Sequence, residues 1–337
     1  MEDYNKYLYK KVYHKHDLSK NSYLITGGAG FIGSNIVEYL LKNNAGHVRV
    51  LDNLSNGYYS NIEKFIKYSN FEFIEGDIRD IDICNSAVSD IDFISHQAAL
   101  GSVPRSIEEP ILTNSVNING FLNILIAAKN SKKLKNFVFA ASSSTYGDCI
   151  KLPKIEGYEG KTMSPYAVTK AVNEMYADVF SKVYNFNSIG LRYFNVFGPN
   201  QNPNNPYAAV IPIFCKNFIN NEPPIIFGDG MTTRDFTFVE NIVQANMKAL
   251  EAINLTKFEV FNVGCGDEIS LNKIIDLLNK IYSKNIYPIY KANRNGDIKN
   301  SLADITKIKS ILGYKPEFTF EDGLKIVCEW YKYNLKN

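Results

Sequence analysis

Short apolar runs bounded by turn residues recur along the chain: "SYLIT" from Ser22, "HVRVL" from His47, "FEFIE" from Phe71, "IDFISH" from Ile91, "NFVFAA" from Asn136, "NSIGLRY" from Asn187 and "FEVFNVG" from Phe258. Longer segments with helical spacing lie between most of them. Alternating short strands and amphipathic helices predict an α/β fold, a Rossmann-type doubly wound parallel sheet covered by helices on both faces. After Asn195 the texture changes: "FGPNQNPNNPYAAVIP" and "NNEPPIIFGDGMTTRDF" are rich in Pro, Asn and Gly, as expected of substrate-shaping loops. Helical patterns return near 270–282 and in "EDGLKIVCEWYKYNL". The predicted organisation is a cofactor-binding domain over 1–195, with 236–264 returning to it, and a smaller C-terminal substrate-binding lobe over 196–337. In the extension 1–20, Tyr4, Tyr7, Leu8 and Val12 follow helical spacing; this predicts a short docked helix, with a frayed tail as the alternative.

Composition narrows the function classes. With 337 residues, 45% of them hydrophobic, the chain can build a large core. A net charge of +2 gives no reason to expect a nucleic-acid or membrane surface. The five cysteines (84, 149, 215, 265 and 328) are odd in number, widely spaced and without a CxxC pair, which indicates thiols in a reducing compartment. Four histidines, two of them at His14 and His16, form no metal-ligand cluster. The N-terminus has no secretory h-region, and no stretch is read as approaching the ~18 apolar residues of a membrane span. A cytoplasmic protein is expected.

Phosphate chemistry is signalled by "LITGGAGFIGSNIVEYLL", an apolar strand running through Gly27, Gly30 and Gly33 into an amphipathic helix. Glycines at this spacing tighten the turn, admit a pyrophosphate to backbone N–H groups and let helix and strand pack closely. Nineteen residues after Gly33, Asp52 closes the second strand; a carboxylate there accepts both adenosine-ribose hydroxyls and repels a 2′-phosphate, favouring NAD over NADP. The alternative for Asp52 is a turn-starting Asp. Asp77 in "EGDIRD" could meet the adenine or cap the next helix. "HQAALGSV", from His96, supplies small residues after the fourth strand, where a ligand could pass along the backbone.

In "SPYAVTK", Tyr166 and Lys170 stand four apart on one helical face. The fifth strand ends in "AASSSTYG", a run of hydroxyls where parallel sheets bind ligands. A phenol of ordinary pKa ~10 needs stabilisation to act as a base at neutral pH. Lys170 is expected to lower it, and a serine hydroxyl to relay the substrate proton. The implied reaction is proton removal from an alcohol coupled to hydride transfer to NAD. A solvated Tyr/Lys pair is the alternative.

Taken in order, "TGGAGFIGSN", "LDNLSNG", "GDIRD", "AASSSTYGD", "SPYAVTKAVNE", "LRYFNVFGP" and "GDGMTTRDFTFVEN" resemble the extended short-chain dehydrogenases/reductases that act on nucleotide sugars. Within that group the chain is most similar to the UDP-N-acetylglucosamine 4-epimerases of bacterial surface-polysaccharide pathways. The resemblance covers about residues 21–330. It implies that Tyr166 takes the proton of the sugar 4-OH, that Ser142 and Lys170 complete the catalytic set, and that NAD is tightly bound and regenerated. It further implies NAD contacts from Gly27, Gly30, Phe31, Ile32, Asp52, Asn53, Asp77, Ile78, Gln97, Ala98 and Val196. Substrate contacts are implied for Ser102, Ser142, Ser143, Ser144, Asn195, Ala209 and Val210, and UDP contacts for Arg234, Arg294 and Asp297. An ion pair with Asp229 or Asp235 is the alternative for Arg234, and Lys299 stands where relatives often carry Arg.

Relatives that eliminate water from C6 place Asp-Glu after the catalytic hydroxyl; here Ser143 and Ser144 follow Ser142, which disfavours dehydration. In 4-epimerases the position of Ser301 in "SLAD" borders the sugar C2 substituent. Serine leaves room for an acetamido group, so UDP-GlcNAc and UDP-GalNAc are the expected preferred pair, with UDP-Glc and UDP-Gal turned over less well. The alternative for Ser301 is an N-cap of a helix beginning near Ala303. The helical patterns at roughly 104–130 and 165–184 resemble the pair that forms a homodimer's four-helix bundle. Rival functions are a UDP-glucose/UDP-galactose or UDP-uronate 4-epimerase and, in another class, a non-catalytic NAD or nucleotide-sugar sensor.

Overall fold

The computed structural model describes residues 8–204, 207–255, 257–292 and 300–335. Each of the seven apolar runs forms a strand of one sheet. These are β1 (Ser22–Thr26), β2 (His47–Asp52), β3 (Phe71–Glu75), β4 (Phe93–His96), β5 (Asn136–Ser142), β6 (Ile189–Tyr193) and the strand Glu259–Val263. The order is β3-β2-β1-β4-β5-β6 followed by Glu259–Val263, every pairing parallel. The chain crosses over between β1 and β4, so a crevice opens at their carboxyl ends, where doubly wound sheets take ligands. β1 is buried along its whole length and β4 likewise, as expected of strands covered on both faces.

Helices α1 (Phe31–Lys42) and α2 (Ile81–Val88) follow β1 and β3, and the helix Val239–Leu250 packs on α1 beneath the sheet. Asp80, not Asp77, caps α2, its carboxylate accepting from the Asp82 and Ile83 N–H groups. The predicted continuous helix over 104–130 is divided. Pro110 starts a new helix after α3 (Val103–Glu108), and α4 (Pro110–Asn114) passes through a π-helical turn, Ser115–Gly120, into α5 (Phe121–Asn130). Asn117 in the π-turn exchanges both its amide groups with the backbone of Leu100, at 2.8 and 3.1 Å, pinning the loop that follows β4.

One reading of the sequence needs correction. The segment Pro110–Asn130 is, by length and composition, long and apolar enough for a membrane span. Its apolar side supplies Phe121, Ile124, Leu125 and Ala128 to the core beside β4 and β5, the same pattern that a core helix requires.

α6 (Pro165–Tyr184) is capped by Ser164, whose hydroxyl accepts from the Ala167 N–H. Beyond β6 come short strand pairs: Val196–Phe197 with Thr237–Phe238, Ile225–Phe227 with Ile289–Lys291, and Thr233–Arg234 between Ile269–Ser270 and Asn300–Ser301. The helices Val210–Asn220, Leu271–Tyr282 and Phe320–Asn334 cover them, and Phe197, Phe236, Phe238 and Phe320 meet at the junction with the large sheet.

Among the described residues of the extension, 8–17 dock in irregular backbone and Leu18–Lys20 form a single 3₁₀ turn. Of the predicted face, Leu8 is buried and Val12 is 57% exposed, while Tyr9 and Tyr13 are buried beside Leu8; Tyr4 and Tyr7 lie outside the described residues. Side chains take the backbone donors that a helix would need. Glu240 accepts from the Tyr9 N–H at 3.1 Å, the Tyr39 hydroxyl from the Tyr13 N–H at 2.7 Å, and Glu251 from the Lys15 and His16 N–H groups. The Tyr13 ring stacks on Tyr39 at 5.6 Å.

Candidate active site

The strand–glycine–helix segment forms one wall of a cleft. Gly27 has φ +68°, and a Cβ there would sit 2.7 Å from the Ala98 backbone nitrogen; one on Gly33 would sit 2.2 Å from the Gly27 oxygen. Both positions therefore require glycine for the protein's own packing. At Gly30 a side chain would meet only the Gly27 oxygen, at 3.1 Å, so what its absence leaves open is the cleft itself. Gly30 is the N-cap of α1 and brings no side-chain cap, leaving first-turn N–H groups directed at the cleft, a site for a phosphate. Gly27, Gly30, Asp52, Asn53, Asp77, Ile78, Gln97 and Ala98 line this cleft together.

Asp52 is buried, and its carboxylate accepts from the Ala29 and Leu54 N–H groups, both at 2.9 Å. Burial pushes its pKa up against those bonds. Asp77 is held down to about 2 by its hydrogen bonds to Arg79, and also accepts from the Asn53 amide at 2.9 Å. The Gln97 side chain turns away to Ser95, Asn246 and Tyr193. Phe31 faces a neighbouring cleft with Ser102 and Ala209, and Ile32 lies in the first turn of α1. An uncapped helix start, a glycine-cleared wall and a carboxylate at the end of β2 fit the pyrophosphate and ribose of a dinucleotide.

Ser142 ends β5 and its hydroxyl caps a 3₁₀ turn, Ser143–Tyr146, accepting from the Ser144 N–H at 3.1 Å and the Ser144 hydroxyl at 2.9 Å. The Ser142 hydroxyl is close enough to the Tyr166 phenol, in the first turn of α6, to influence its ionisation. One turn on, Lys170 is 5% exposed and donates to the Ala140 carbonyl at 2.7 Å. Its ammonium lies 6.0 Å from the centre of the Tyr166 ring. The electrostatics differ from the sequence expectation. Burial raises the Tyr166 pKa, with the Ser142 hydroxyl opposing, and burial pushes Lys170 down to about 8.

Beyond this cluster a cavity of about 770 Å³ opens in the lobe, lined by Asn195, Val196, Ala209, Val210 and Arg234 and walled by Phe197, Phe214, Phe227 and Phe236. Asn195 takes a positive φ of 31° and donates to the Asp235 carbonyl at 3.2 Å. Ser102, at φ 119°, holds a conformation rare for a residue with a side chain, and its hydroxyl caps α3. The Asp235 carboxylate is committed to the N–H groups of Cys265, Gly266 and Ala303, while an Arg234 Nη donates to the Thr233 carbonyl. Ser301 is not an N-cap: it sits in a strand in register with Arg234, and the next helix, Thr306–Leu312, starts after Ile305. Nor is Ser301 among the residues lining the cavity. Arg294, Asp297 and Lys299 lie outside the described residues.

The sequence reading passed over Gly57, where a Cβ would come within 3.0 Å of the Asp52 Oδ2; its Asn-Gly context was the available signal. It also passed over the aromatic walls of the lobe cavity, for which no local pattern exists.

Comparison with known proteins agrees with this geometry. Residues 23–264 match the NAD dependent epimerase/dehydratase family. A putative UDP-glucose 4-epimerase of Methanocaldococcus jannaschii is 38% identical over 92% of this chain and 98% of its own. The solved UDP-N-acetylglucosamine 4-epimerase of Methanobrevibacter ruminantium, in complex with UDP-N-acetylmuramic acid, superimposes with a TM-score of 0.87 at 38% identity, covering 92% of this chain and 98% of that one. A UDP-glucuronic acid 4-epimerase of Bacillus cereus, in complex with UDP-glucuronic acid and NAD, gives 0.85 at 33% identity over 92% and 99%. With its seven-stranded parallel sheet and dinucleotide cleft, the chain belongs to the NAD-dependent epimerase/dehydratase family.

Proposed function

We propose that the protein is a cytoplasmic UDP-sugar 4-epimerase that prefers UDP-N-acetylhexosamines, interconverting UDP-GlcNAc and UDP-GalNAc and acting more slowly on UDP-Glc and UDP-Gal. The observation that supports the epimerase reading is the convergence of Ser142, at the end of β5, with Tyr166 and Lys170 in the first turns of α6, where Lys170 donates to the Ala140 carbonyl of β5. The relatives' activities support it.

Residues 1–195 with 236–264 would hold the cofactor, and the remainder would form the sugar lobe. Bound NAD would take a hydride from the sugar carbon and return it to the opposite face, so no net oxidation occurs. Gly27, Gly30 and the start of α1 would hold its pyrophosphate, Asp52 its ribose, and Asp77 and Ile78 would flank its adenine. Tyr166 removes the proton of the sugar 4-OH and later restores it, Ser142 holds the same oxygen, and Lys170 in its ammonium form supplies positive charge. Ser143 and Ser144 contact the sugar, with Asn195 across from them. Arg234 meets the diphosphate, for which a guanidinium fork is suited. With no Asp-Glu pair after Ser142, elimination has no acid/base couple.

The preference for N-acetylated sugars rests on Ser301, a small residue in register with Arg234. Ile111, Met175 and Val183, on α4 and α6, are 85%, 65% and 65% exposed, a face suited to a second copy and hence to a homodimer. The deciding experiment is NMR of the purified enzyme given UDP-GlcNAc, UDP-Glc or UDP-glucuronate in separate tubes without added NAD. Formation of UDP-GalNAc faster than UDP-Gal is expected. Conversion of UDP-Glc or UDP-glucuronate alone would refute the Ser301 assignment, and conversion of none would leave the rival of a binding protein.

A further inference from the structure

Arg192 and Glu174 have no part in the roles assigned above, yet they form a tightly knit buried ion pair next to the catalytic cluster. Arg192, on β6, is 3% exposed. Its Nε and Nη2 donate to the two oxygens of Glu174 on α6 at 2.9 and 2.6 Å, and its Nη1 donates to Glu159 in the loop that leads from β5 to α6. The guanidinium carbon lies 4.9 Å from the centre of the Tyr146 ring, at the end of the turn that Ser142 caps. In the sheet Arg192 pairs with Ala141, beside Ser142. One guanidinium therefore touches the turn carrying Ser142, the helix carrying Tyr166 and Lys170, and the loop joining them. Resting on the reading that Tyr166 and Lys170 do the chemistry, we propose that Arg192 is a positioning residue which acts through Glu174 to align Ser142, Tyr166 and Lys170 and to govern the charge state of Lys170.

The groups facing Lys170 make the second part specific. Glu174 lies one turn beyond Lys170 on the same helix and favours its ammonium form. Tyr166 is on that helix too; His96, on β4, is buried and held neutral, its pKa pushed down to about 3. Among the described residues, β5 contributes the Ala140 carbonyl, and Arg192 approaches from β6 behind Glu174. Arg192, bonded to both Glu174 oxygens, places a positive charge against the carboxylate that favours the Lys170 ammonium. Removing either partner should move Lys170 in opposite directions: without the carboxylate the ammonium is less favoured, and without the guanidinium an unpaired carboxylate holds it more strongly. A purely architectural ion pair predicts equal damage from both and no change in titration.

The test uses the intact enzyme with its co-purified cofactor. For Glu174→Gln, the alkaline limb of the kcat profile on whichever UDP-hexose the wild type converts should move to lower pH, with the ammonium-to-amine ratio falling on the order of tenfold at fixed pH. For Arg192→Met the limb should move to higher pH. Arg192→Lys, which keeps a cation but loses the fork, should restore the limb while kcat stays reduced and KM is unchanged; it also serves if the Met variant does not fold. Nitrogen-15 NMR of the lysine side chains should show the same opposite displacements of Lys170. Unshifted limbs and lysine titrations, or a kcat for Arg192→Lys within twofold of wild type, would overturn the proposal. A wild-type enzyme inactive on every UDP-hexose would instead overturn the functional reading, and the NMR titration would still decide this one.

Discussion

The dinucleotide cleft is lined by residues 27–116, whereas the lobe cavity is assembled from Pro104, residues 195–197 and 208–214, Asn217, residues 223–236 and Leu271. In the first, backbone groups and missing side chains make the binding surface, and glycines at Gly27 and Gly33 are fixed by contacts within a few residues or one strand away. In the second, side chains make the surface: Phe197 and Phe214 meet Phe227, Arg234 and Phe236 of a later stretch. Their carboxylates differ in exposure, Asp77 being partly exposed and Asp235 buried. Asp77 is held low by an adjacent arginine, and Asp235 is driven up to about 6 by burial despite three backbone N–H bonds. Burial raises a carboxylate in either region, as it does Asp52 in the first, and an adjacent arginine lowers the one that stays partly exposed.

The largest effect is expected at the boundary between the two regions. Tyr166→Phe should lower kcat by about 10²–10⁴-fold while bound NAD and UDP-sugar affinity persist; wild-type turnover would break the assignment of chemistry to this cluster. Gly33→Ala tests the cofactor side alone. Its Cβ would collide with the Gly27 oxygen at 2.2 Å, so a loss of about 1–3 kcal/mol in stability and of co-purified NAD is expected. Unchanged thermal unfolding and cofactor content would show that the turn has slack.

Ser301→Tyr tests the lobe side, and should abolish turnover of N-acetylated substrates while sparing UDP-Glc, with NAD content untouched. Equal loss on both sugars would remove Ser301 as the discriminating position. The smallest effects are in the pH dependence. Asp235 has a folded pKa of about 6, above its ordinary value of 3.8, so its contribution to stability is full below 3.8 and is lost as pH rises through 6. Asp77, at about 2, contributes above 3.8 and loses this as pH falls towards 2. Carbon-13 NMR of the carboxyl groups should find those two midpoints in that order; an Asp235 midpoint near its ordinary ~3.9 would erase the contrast.

The sequence by itself determined the sheet and the cofactor side. Seven apolar runs of strand length, separated by helical periods, became seven parallel strands, because a strand buried on both faces must be apolar throughout. The spacing of Gly27, Gly30 and Gly33 before α1 and the place of Asp52 at the end of β2 are local relations, legible without any tertiary contact. Only the tertiary structure decided the rest. Residues 8–17 of the extension dock in irregular backbone, with Glu240, Tyr39 and Glu251 taking the N–H groups of Tyr9, Tyr13 and Lys15. Ser301 had the spacing of a cap and became a strand partner of Arg234, sixty-seven positions away. The Tyr166 phenol, expected to be lowered by Lys170, is raised because burial of both groups outweighs their proximity along the helix. Periodicity and spacing describe what a segment can do; burial and charge depend on which segments the fold brings against it.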